Sequence, residues 1–333
     1  MDIKRNFSLS QYNSFGVDHN AKYFVEIENL DQIENFLNDN NFKKLEKLIL
    51  GGGSNILFTK DFEGIILLNK ISGIKKLKED KNNITLRVGS GENWDNFVSY
   101  CVKNEYYGIE NLSLIPGSVG AAPIQNIGAY GVEIKRFIES VNGLFLDSVK
   151  EKKFDNKSCL FEYRNSIFKN QLKNKFFITS VDFKLNKRGN FNLSYKDLNN
   201  LNKESLTLSL LRKKIIDIRN SKLPNPLEIG NAGSFFKNPL VDKYSIDKIR
   251  KTFDDLIFFT DNGKYKIPAA WLIEKCGWKG FEEGNIGVSK KHALVIVNYG
   301  EKDGNKIDTL SNKIIKDVIG KFNIVLEPEV YIF

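Results

Sequence analysis

Seventeen residues constrain the fold of this chain more than any other stretch: Ile115-Pro116-Gly117-Ser118-Val119-Gly120-Ala121-Ala122-Pro123-Ile124-Gln125-Asn126-Ile127-Gly128-Ala129-Tyr130-Gly131. Four are glycine, three are alanine and none is charged. A surface loop is normally more polar, and a core strand carries larger side chains. So many small residues in a row allow backbone to lie against a large flat ligand or against a closely packed element, and composition alone leaves both open. A second cluster follows the apolar run Leu48-Ile49-Leu50, which reads as a buried strand leading into Gly51-Gly52-Gly53-Ser54-Asn55. Consecutive glycines bring backbone N–H groups close to an anion. The spacing is neither GxGxxG nor GxxxxGK[ST], so the Rossmann and P-loop readings both fail, and a tight structural turn is as compatible as a ligand loop. A third cluster, Asn231-Ala232-Gly233-Ser234-Phe235-Phe236-Lys237-Asn238, sets a serine between a glycine and two phenylalanines. It has no G-x-S-x-G elbow, so any chemistry at Ser234 suits proton delivery better than an acyl intermediate.

The surroundings of these clusters narrow the class. A chain of 333 residues with 41% hydrophobic and 27% charged residues has a globular composition and room for two or three domains. Apolar runs such as Ala293-Leu294-Val295-Ile296-Val297 fall far short of the roughly 20 residues that span a bilayer. The start, Met1-Asp2-Ile3-Lys4-Arg5-Asn6, has no apolar stretch behind its charges, so no export signal is visible and a cytoplasmic location is expected. Three scattered cysteines, Cys101, Cys159 and Cys276, form no CxxC pair, which argues against a disulfide framework and suggests no metal site. Two histidines, His19 and His292, leave no room for chemistry needing several imidazoles. The formal charge is +9, but 42 of the 50 basic residues are lysine and only 8 are arginine. Thinly spread lysine fits a solvated basic surface better than a nucleic-acid face, which wants clustered Arg/Lys with aromatics between.

Periodicity predicts alternating strands and helices. Tyr23–Ile27 reads as a strand. Asp31 and Glu34 resemble a capping box opening a helix with Leu30, Ile33, Phe36 and Leu37 on one face. Ile56-Leu57-Phe58 and Ile84–Val88 read as strands and Trp94–Val102 as a helix, with a strand-rich region continuing to about residue 200. Pro224 and Pro226 close a helix, and an α+β stretch occupies about 220–300. A last amphipathic helix carries Ile307, Leu310, Ile314 and Val318 and is expected to stop at Gly320. A strand around Ile324-Val325-Leu326 follows, continuing after Pro328.

Six segments in register resemble the bacterial UDP-N-acetylenolpyruvoylglucosamine reductases, also called UDP-N-acetylmuramate dehydrogenases. They are Asn13-Ser14-Phe15-Gly16-Val17, Leu50–Asn55, Ile115–Gly131, Tyr163-Arg164-Asn165-Ser166-Ile167-Phe168-Lys169, Asn231–Asn238 and Leu326-Glu327-Pro328-Glu329-Val330. The resemblance implies an α+β protein with the FAD-binding fold of the vanillyl-alcohol-oxidase type, in which two α+β subdomains (1–66 and 67–218) clasp FAD. A substrate-binding domain (219–321) follows, and the strand in 322–333 is expected to return to the first subdomain. It implies non-covalent FAD, NADPH as co-substrate and a UDP-sugar substrate whose enolpyruvyl ether is reduced to the lactyl ether of UDP-N-acetylmuramate.

By the same resemblance, Arg164, Ser234 and Glu329 are the catalytic residues. Arg164 offers a planar fork to the substrate carboxylate, Glu329 helps polarise that carboxylate, and Ser234 protonates the carbanionic carbon. FAD is expected against Gly51, Gly52, Gly53, Ser54, Asn55, Ile115, Pro116, Gly117, Ser118, Val119, Gly120, Gln125, Asn126, Gly128, Ala129 and Tyr130, with Arg219 at its border. Tyr195 resembles the tyrosine that caps substrate in the longer class of the family. Lys222 would face the diphosphate, and Asn238 the uridine. His292 stands where a substrate-contacting glutamine is expected, and Tyr331 where an arginine is common. An oxidase of the same superfamily, with FAD tethered through His or Cys, fits poorly because neither residue lies in the two glycine-rich segments. A lysine-rich nucleic-acid binder would be colourless. Neither a nucleic acid, a membrane nor an obligate protein partner is expected.

Overall fold

The structure is a computed structural model describing residues 1–189, 191–261 and 263–333. Its first half contains the strands β1 (Ile3–Ser8), β2 (Asn20–Ile27), β3 (Lys47–Leu50), β4 (Ile56–Leu57), β5 (Phe62–Asn69), β6 (Ile74–Glu79), β7 (Asn83–Gly89), β8 (Gly128–Ala129), β9 (Val132–Glu133), β10 (Ile138–Phe145), β11 (Glu151–Asp155) and β12 (Phe176–Asn186). Two helices, α1 (Leu30–Asn38) and α2 (Trp94–Lys103), are interleaved with them. Beyond these come α3 (Leu208–Lys222), β13 (Leu240–Val241), α4 (Lys243–Arg250), β14 (Phe259–Asp261), β15 (Lys264–Lys266) and α5 (Ala269–Lys275). The remaining elements are β16 (Glu282–Glu283), β17 (Ile286–Val288), β18 (Ile296–Asn298), α6 (Gly304–Phe322) and β19 (Tyr331–Ile332). Contacts divide the chain into two units: Met1–Phe7, Ala21–Gly52 and Phe62–Arg219 form one, and Ser8–Asn20, Gly53–Asp61 and Asn220–Phe333 form the other. No helix among the described residues is long and apolar enough to cross a membrane.

The first unit holds two sheets. The smaller has the order β1-β2-β5-β3, with β2 and β3 both parallel to β5. Parallel neighbours need a crossover, and α1 supplies it between β2 and β3, burying Ile33, Phe36 and Leu37 with Val25, Ile27, Ile65 and Leu67. The cap of α1 lies two residues earlier than the predicted Asp31/Glu34 box. Asn29 accepts the Gln32 N–H at 2.9 Å, and the Gln32 side chain accepts from Glu28 N–H at 2.7 Å. Asparagine with glutamine three residues on makes much the same reciprocal bonds as the box sought in the acidic pair.

The larger sheet is antiparallel, in the order β11-β10-β12-β7-β6, and α2 packs on one face through Trp94, Phe97, Val98 and Cys101 against Val88, Val181 and Phe183. The other face carries a polar cluster around Asp182 on the central strand, whose side chain is 2% exposed. Register sets Arg87 of β7 and Ser140 of β10 directly beside it. Arg87 donates two bonds of 2.7 and 2.9 Å, Ser140 one of 2.9 Å and Asn142 one of 3.2 Å. Burial alone would lift the Asp182 carboxyl, but these donors, Arg87 foremost, hold it below the usual range.

In the second unit, β16-β17-β18 and β13-β15-β14 form two small sheets, and β19 runs parallel to β4 with Tyr331 opposite Ile56. Helix α6 buries Ile307, Leu310, Ile314 and Val318, starts at the Asp303 cap and runs past Gly320 to Asn323. Asn323 takes the left-handed conformation (φ 56°) that was expected of the glycine; asparagine tolerates it through local hydrogen bonding, so Gly320 is free to sit inside the last turn. Residues 324–327 form no strand; Pro328 makes an isolated bridge, and Tyr331–Ile332 is the part of this tail that pairs within a sheet.

Asp182 yields a stability prediction. Its folded pKa is depressed, so its contribution is present above the unfolded value of about 3.9 and is lost as pH falls through the folded value. Asp182→Asn should cost about 3 kcal/mol at neutral pH. Urea midpoints measured between pH 7 and 3 should also fall less steeply in the variant than in the parent.

Candidate active site

The glycine-rich segments meet backbone to backbone in the first unit. A Cβ on Gly52 would lie 2.8 Å from Gly117 Cα, and one on Gly51 would collide with Ser118 Oγ. Only glycine permits that approach. Trp94 N–H donates to Gly117 O at 3.1 Å, Val119 N–H to Glu92 O at 2.9 Å and Gly120 N–H to Ser90 O at 2.8 Å, fixing the 117–120 turn on the residues that start α2. Gly53, Ser54 and Asn55 count with the second unit. There Gly53 has φ 63° and packs under Tyr12 O, and Ser14 N–H donates to Gly53 O at 3.0 Å.

Four non-glycine residues in or beside the predicted segments are left-handed: Leu114 (φ 59°), Asn126 (φ 44°), Tyr130 (φ 48°) and Arg164 (φ 54°). Such backbone persists where surrounding bonds over-determine it, and each of these residues has them. Leu114 N–H donates to Asp95, which also receives two Arg212 bonds of 2.7 and 2.8 Å. Burial would raise the Asp95 carboxyl, but Arg212 and the Leu114 N–H hold it low. Asn126 is fully buried, donating to Glu133 at 3.2 Å and Glu162 O at 2.9 Å and accepting Lys135 N–H at 3.0 Å. Its side chain thus holds the turn, together with its own N–H on Pro123 O at 3.4 Å. The Arg164 loop is bonded to the same segment at two further points, through Arg164 to Gly128 O at 2.8 Å and Ser166 Oγ to Ile124 O at 2.6 Å. The Tyr163 ring lies 5.3 Å from the guanidinium.

Arg219 stands beside Tyr130, to whose hydroxyl it hydrogen-bonds; burial draws the guanidinium pKa down and lifts that of the phenol. Its buried Nε has no hydrogen-bond partner among the described residues. An unsatisfied buried donor and a glycine cradle that tolerates no Cβ are both features that a flat anionic cofactor such as FAD would complete. Tyr195 packs edge-on against Tyr130, 5.1 Å between centroids.

In the second unit, Ser234 and Glu329 lie on one short ladder. Phe236 bridges Pro328 antiparallel, Glu329 N–H donates to Phe235 O at 2.7 Å, and Lys237 N–H to Glu327 O at 2.9 Å. Phe235 N–H in turn donates to Leu294 O at 2.8 Å. Gly233, at φ 68°, turns the chain into the ladder with its N–H on Asn231 Oδ1 at 2.9 Å. Asn55 Nδ2 holds Glu329 O at 3.1 Å. Asn238 accepts Ala269 N–H at 2.9 Å at the start of α5. His292 Nδ1 accepts Leu294 N–H at 3.2 Å; burial, then Lys222 and Lys279, depress its pKa, so the ring is neutral and keeps Nε2–H as a donor. Lys222 and His292 are therefore neighbours. Arg164 belongs to the first unit and Ser234 and Glu329 to the second.

Sequence reasoning passed over Asp95, Arg212, Asn111 and Asn192. The one available signal was a polar pair, Glu110-Asn111, inside the run 109–115, which is otherwise apolar except for Ser113.

Comparison with known proteins accounts for both halves of the chain. The FAD binding domain family profile matches residues 21–145, and that of the UDP-N-acetylenolpyruvoylglucosamine reductase C-terminal domain matches 225–333. A UDP-N-acetylenolpyruvoylglucosamine reductase of Amoebophilus asiaticus is 44% identical over 100% of this chain and 99% of its own. One of Flavobacterium johnsoniae is 43% identical over 99% of each. The crystal structure of the Thermus caldophilus UDP-N-acetylenolpyruvylglucosamine reductase shares the fold, with a TM-score of 0.70 at 20% identity over 100% of this chain and 99% of that one. Full-length identity at this level, with a cofactor domain and a C-terminal domain in the family's order, makes the chain a member of the UDP-N-acetylenolpyruvoylglucosamine reductase family, an FAD-containing oxidoreductase.

Proposed function

We propose that Arg164, Glu329 and Ser234 carry out the second half of the family's reaction, the NADPH-dependent reduction of the enolpyruvyl ether of UDP-N-acetylglucosamine to UDP-N-acetylmuramate. FAD, when bound, would supply the hydride carrier between NADPH and the terminal alkene carbon. In this reading residues 1–66 and 67–218 clasp the cofactor through Gly51–Asn55 and Ile115–Tyr130, and 219–321 receives the UDP-sugar. Both NADPH and a UDP-sugar are cytoplasmic metabolites, which supports a cytoplasmic enzyme.

Hydride arrival leaves an electron pair on the carbon bearing the carboxylate. The guanidinium of Arg164 meets the carboxylate with two parallel N–H donors, stabilising charge that builds only in the transition state. Glu329 acts on the same carboxylate. Ser234 O–H gives its proton to the carbanionic carbon, and solvent restores the hydroxyl, so one hydride and one proton saturate the double bond. The observation that carries this assignment is the 2.7 Å bond between Glu329 N–H and Phe235 O: it keeps Ser234 and Glu329 on adjacent positions of one ladder. Tyr195, Lys222, Asn238 and His292 would contact the rest of the substrate, His292 donating Nε2–H where the family uses a glutamine.

Three outcomes test this reading. Gly52→Val should lower FAD content per chain, measured by flavin absorbance after acid release, because its side chain needs the space of Gly117 Cα. Arg164→Lys should lower kcat by about tenfold or more while keeping the charge, since a point charge replaces a bidentate fork; unchanged kcat would make Arg164 structural. Ser234→Ala should leave flavin bleaching by NADPH near the parent rate and slow its recovery on adding the enolpyruvyl substrate by about 10²–10⁴-fold. Equal slowing of both phases in stopped flow would move the proton donor elsewhere.

A further inference from the structure

Asn111 is fully buried and lies between the turn at 128–131 and the loop that leads to Tyr195. Its Nδ2 donates to Tyr130 O and to Asn192 O, both at 2.9 Å. Two carbonyl acceptors on one nitrogen fix the orientation of the amide, since a flipped side chain would set oxygen against both. Its Oδ1 has no partner among the described residues, so these two bonds are retained despite an unsatisfied buried acceptor.

The two carbonyls belong to two different pieces of the site. Tyr130 is left-handed, and its ring faces Tyr195. Asn192 returns the connection, donating to Gly131 O at 2.9 Å and accepting from Ser194 N–H at 3.1 Å and Ser194 Oγ at 2.7 Å. Gly131 has no Cβ to push Ser194 away; one there would lie 2.7 Å from its hydroxyl. Tyr195 follows Ser194 directly and is itself exposed, within the exposed run 194–197. Five bonds of the Asn111 and Asn192 side chains, three donated and two accepted, thus link or brace the turn and the loop.

We infer that Asn111 is a positioning residue that seats Tyr195 on Tyr130 and so sets the tightness of substrate capping from inside the core. This rests on the reading of Tyr195 as the residue that covers substrate. Without Asn111 the loop keeps its chain connection and the Asn192 bond to Gly131 O but loses the anchor on the Asn192 carbonyl. The cost falls on ligand retention rather than on FAD, because the bonds of Val119, Gly120 and Trp94 that hold the 117–120 turn do not involve Asn111.

The test is a double-mutant cycle on the FAD-loaded enzyme, titrated with UDP-N-acetylmuramate and read from the flavin absorbance change. Asn111→Ala and Tyr195→Ala should each raise Kd by about tenfold, with FAD per chain unchanged. The double variant should bind no more weakly than the worse single one, because both act through one contact. Multiplied effects in the double variant, an unchanged Kd in Asn111→Ala, or loss of FAD from that variant would each overturn the inference. An unchanged Kd in Tyr195→Ala would overturn the capping reading and the inference with it. Should Asn111→Ala fail to fold, Asn192→Ala, at a half-buried position, completes the same cycle with Tyr195→Ala: non-multiplied weakening supports the inference, and multiplied or absent weakening overturns it.

Discussion

The first unit depends on one steric fact, the contact of Gly51 and Gly52 with Gly117 and Ser118. Two chain segments approach so closely that a Cβ on Gly52 would meet Gly117 backbone and one on Gly51 would force the Ser118 hydroxyl to turn away. Everything functional in that unit is referred to this junction. The 117–120 turn is fixed on the start of α2, the Arg164 loop is bonded onto 124–128, and Tyr130 connects to α3 through Arg219.

Around that junction the backbone is repeatedly left-handed without glycine. Asn126 carries the conformation with a side chain wholly engaged in holding it, whereas Arg164 carries it with its guanidinium donating across to Gly128 O. The two solve the same steric problem differently: one residue is given to the turn, and the other is braced by its neighbours.

Local pattern made most elements legible. The apolar faces of α1, α2 and α6 and the strands Tyr23–Ile27, Leu48–Leu50 and Ile84–Val88 follow from periodicity, and the proposed roles of Arg164, Ser234 and Glu329 rest on motif resemblance. Boundaries were less legible where two residue types do one job. Asn29 and Gln32 cap α1 in place of an acidic pair, and Asn323 ends α6 where a glycine was expected. The run Ile324–Leu326 has strand composition but pairs with nothing in the sheets. Least legible were Asp95 with Arg212 and Asn111 with Asn192. Their partners are 117 and 81 residues apart in sequence, and an Asn or Asp in a sequence carries no mark of which distant carbonyl or guanidinium it will meet.

The bond between Asn55 and the Glu329 carbonyl joins residues 274 apart, and the same distance separates Thr59 from its partner Phe333. Contacts of such separation are entropically expensive to close and come late on a folding route dominated by local structure. The ladder beside Ser234 shares Glu329 with the first of these contacts, so it should be the last part of its unit to set during refolding. A refolding chain would then recover its helical circular dichroism well before its activity, and a lag between ellipticity and turnover is built into where the sequence puts Glu329.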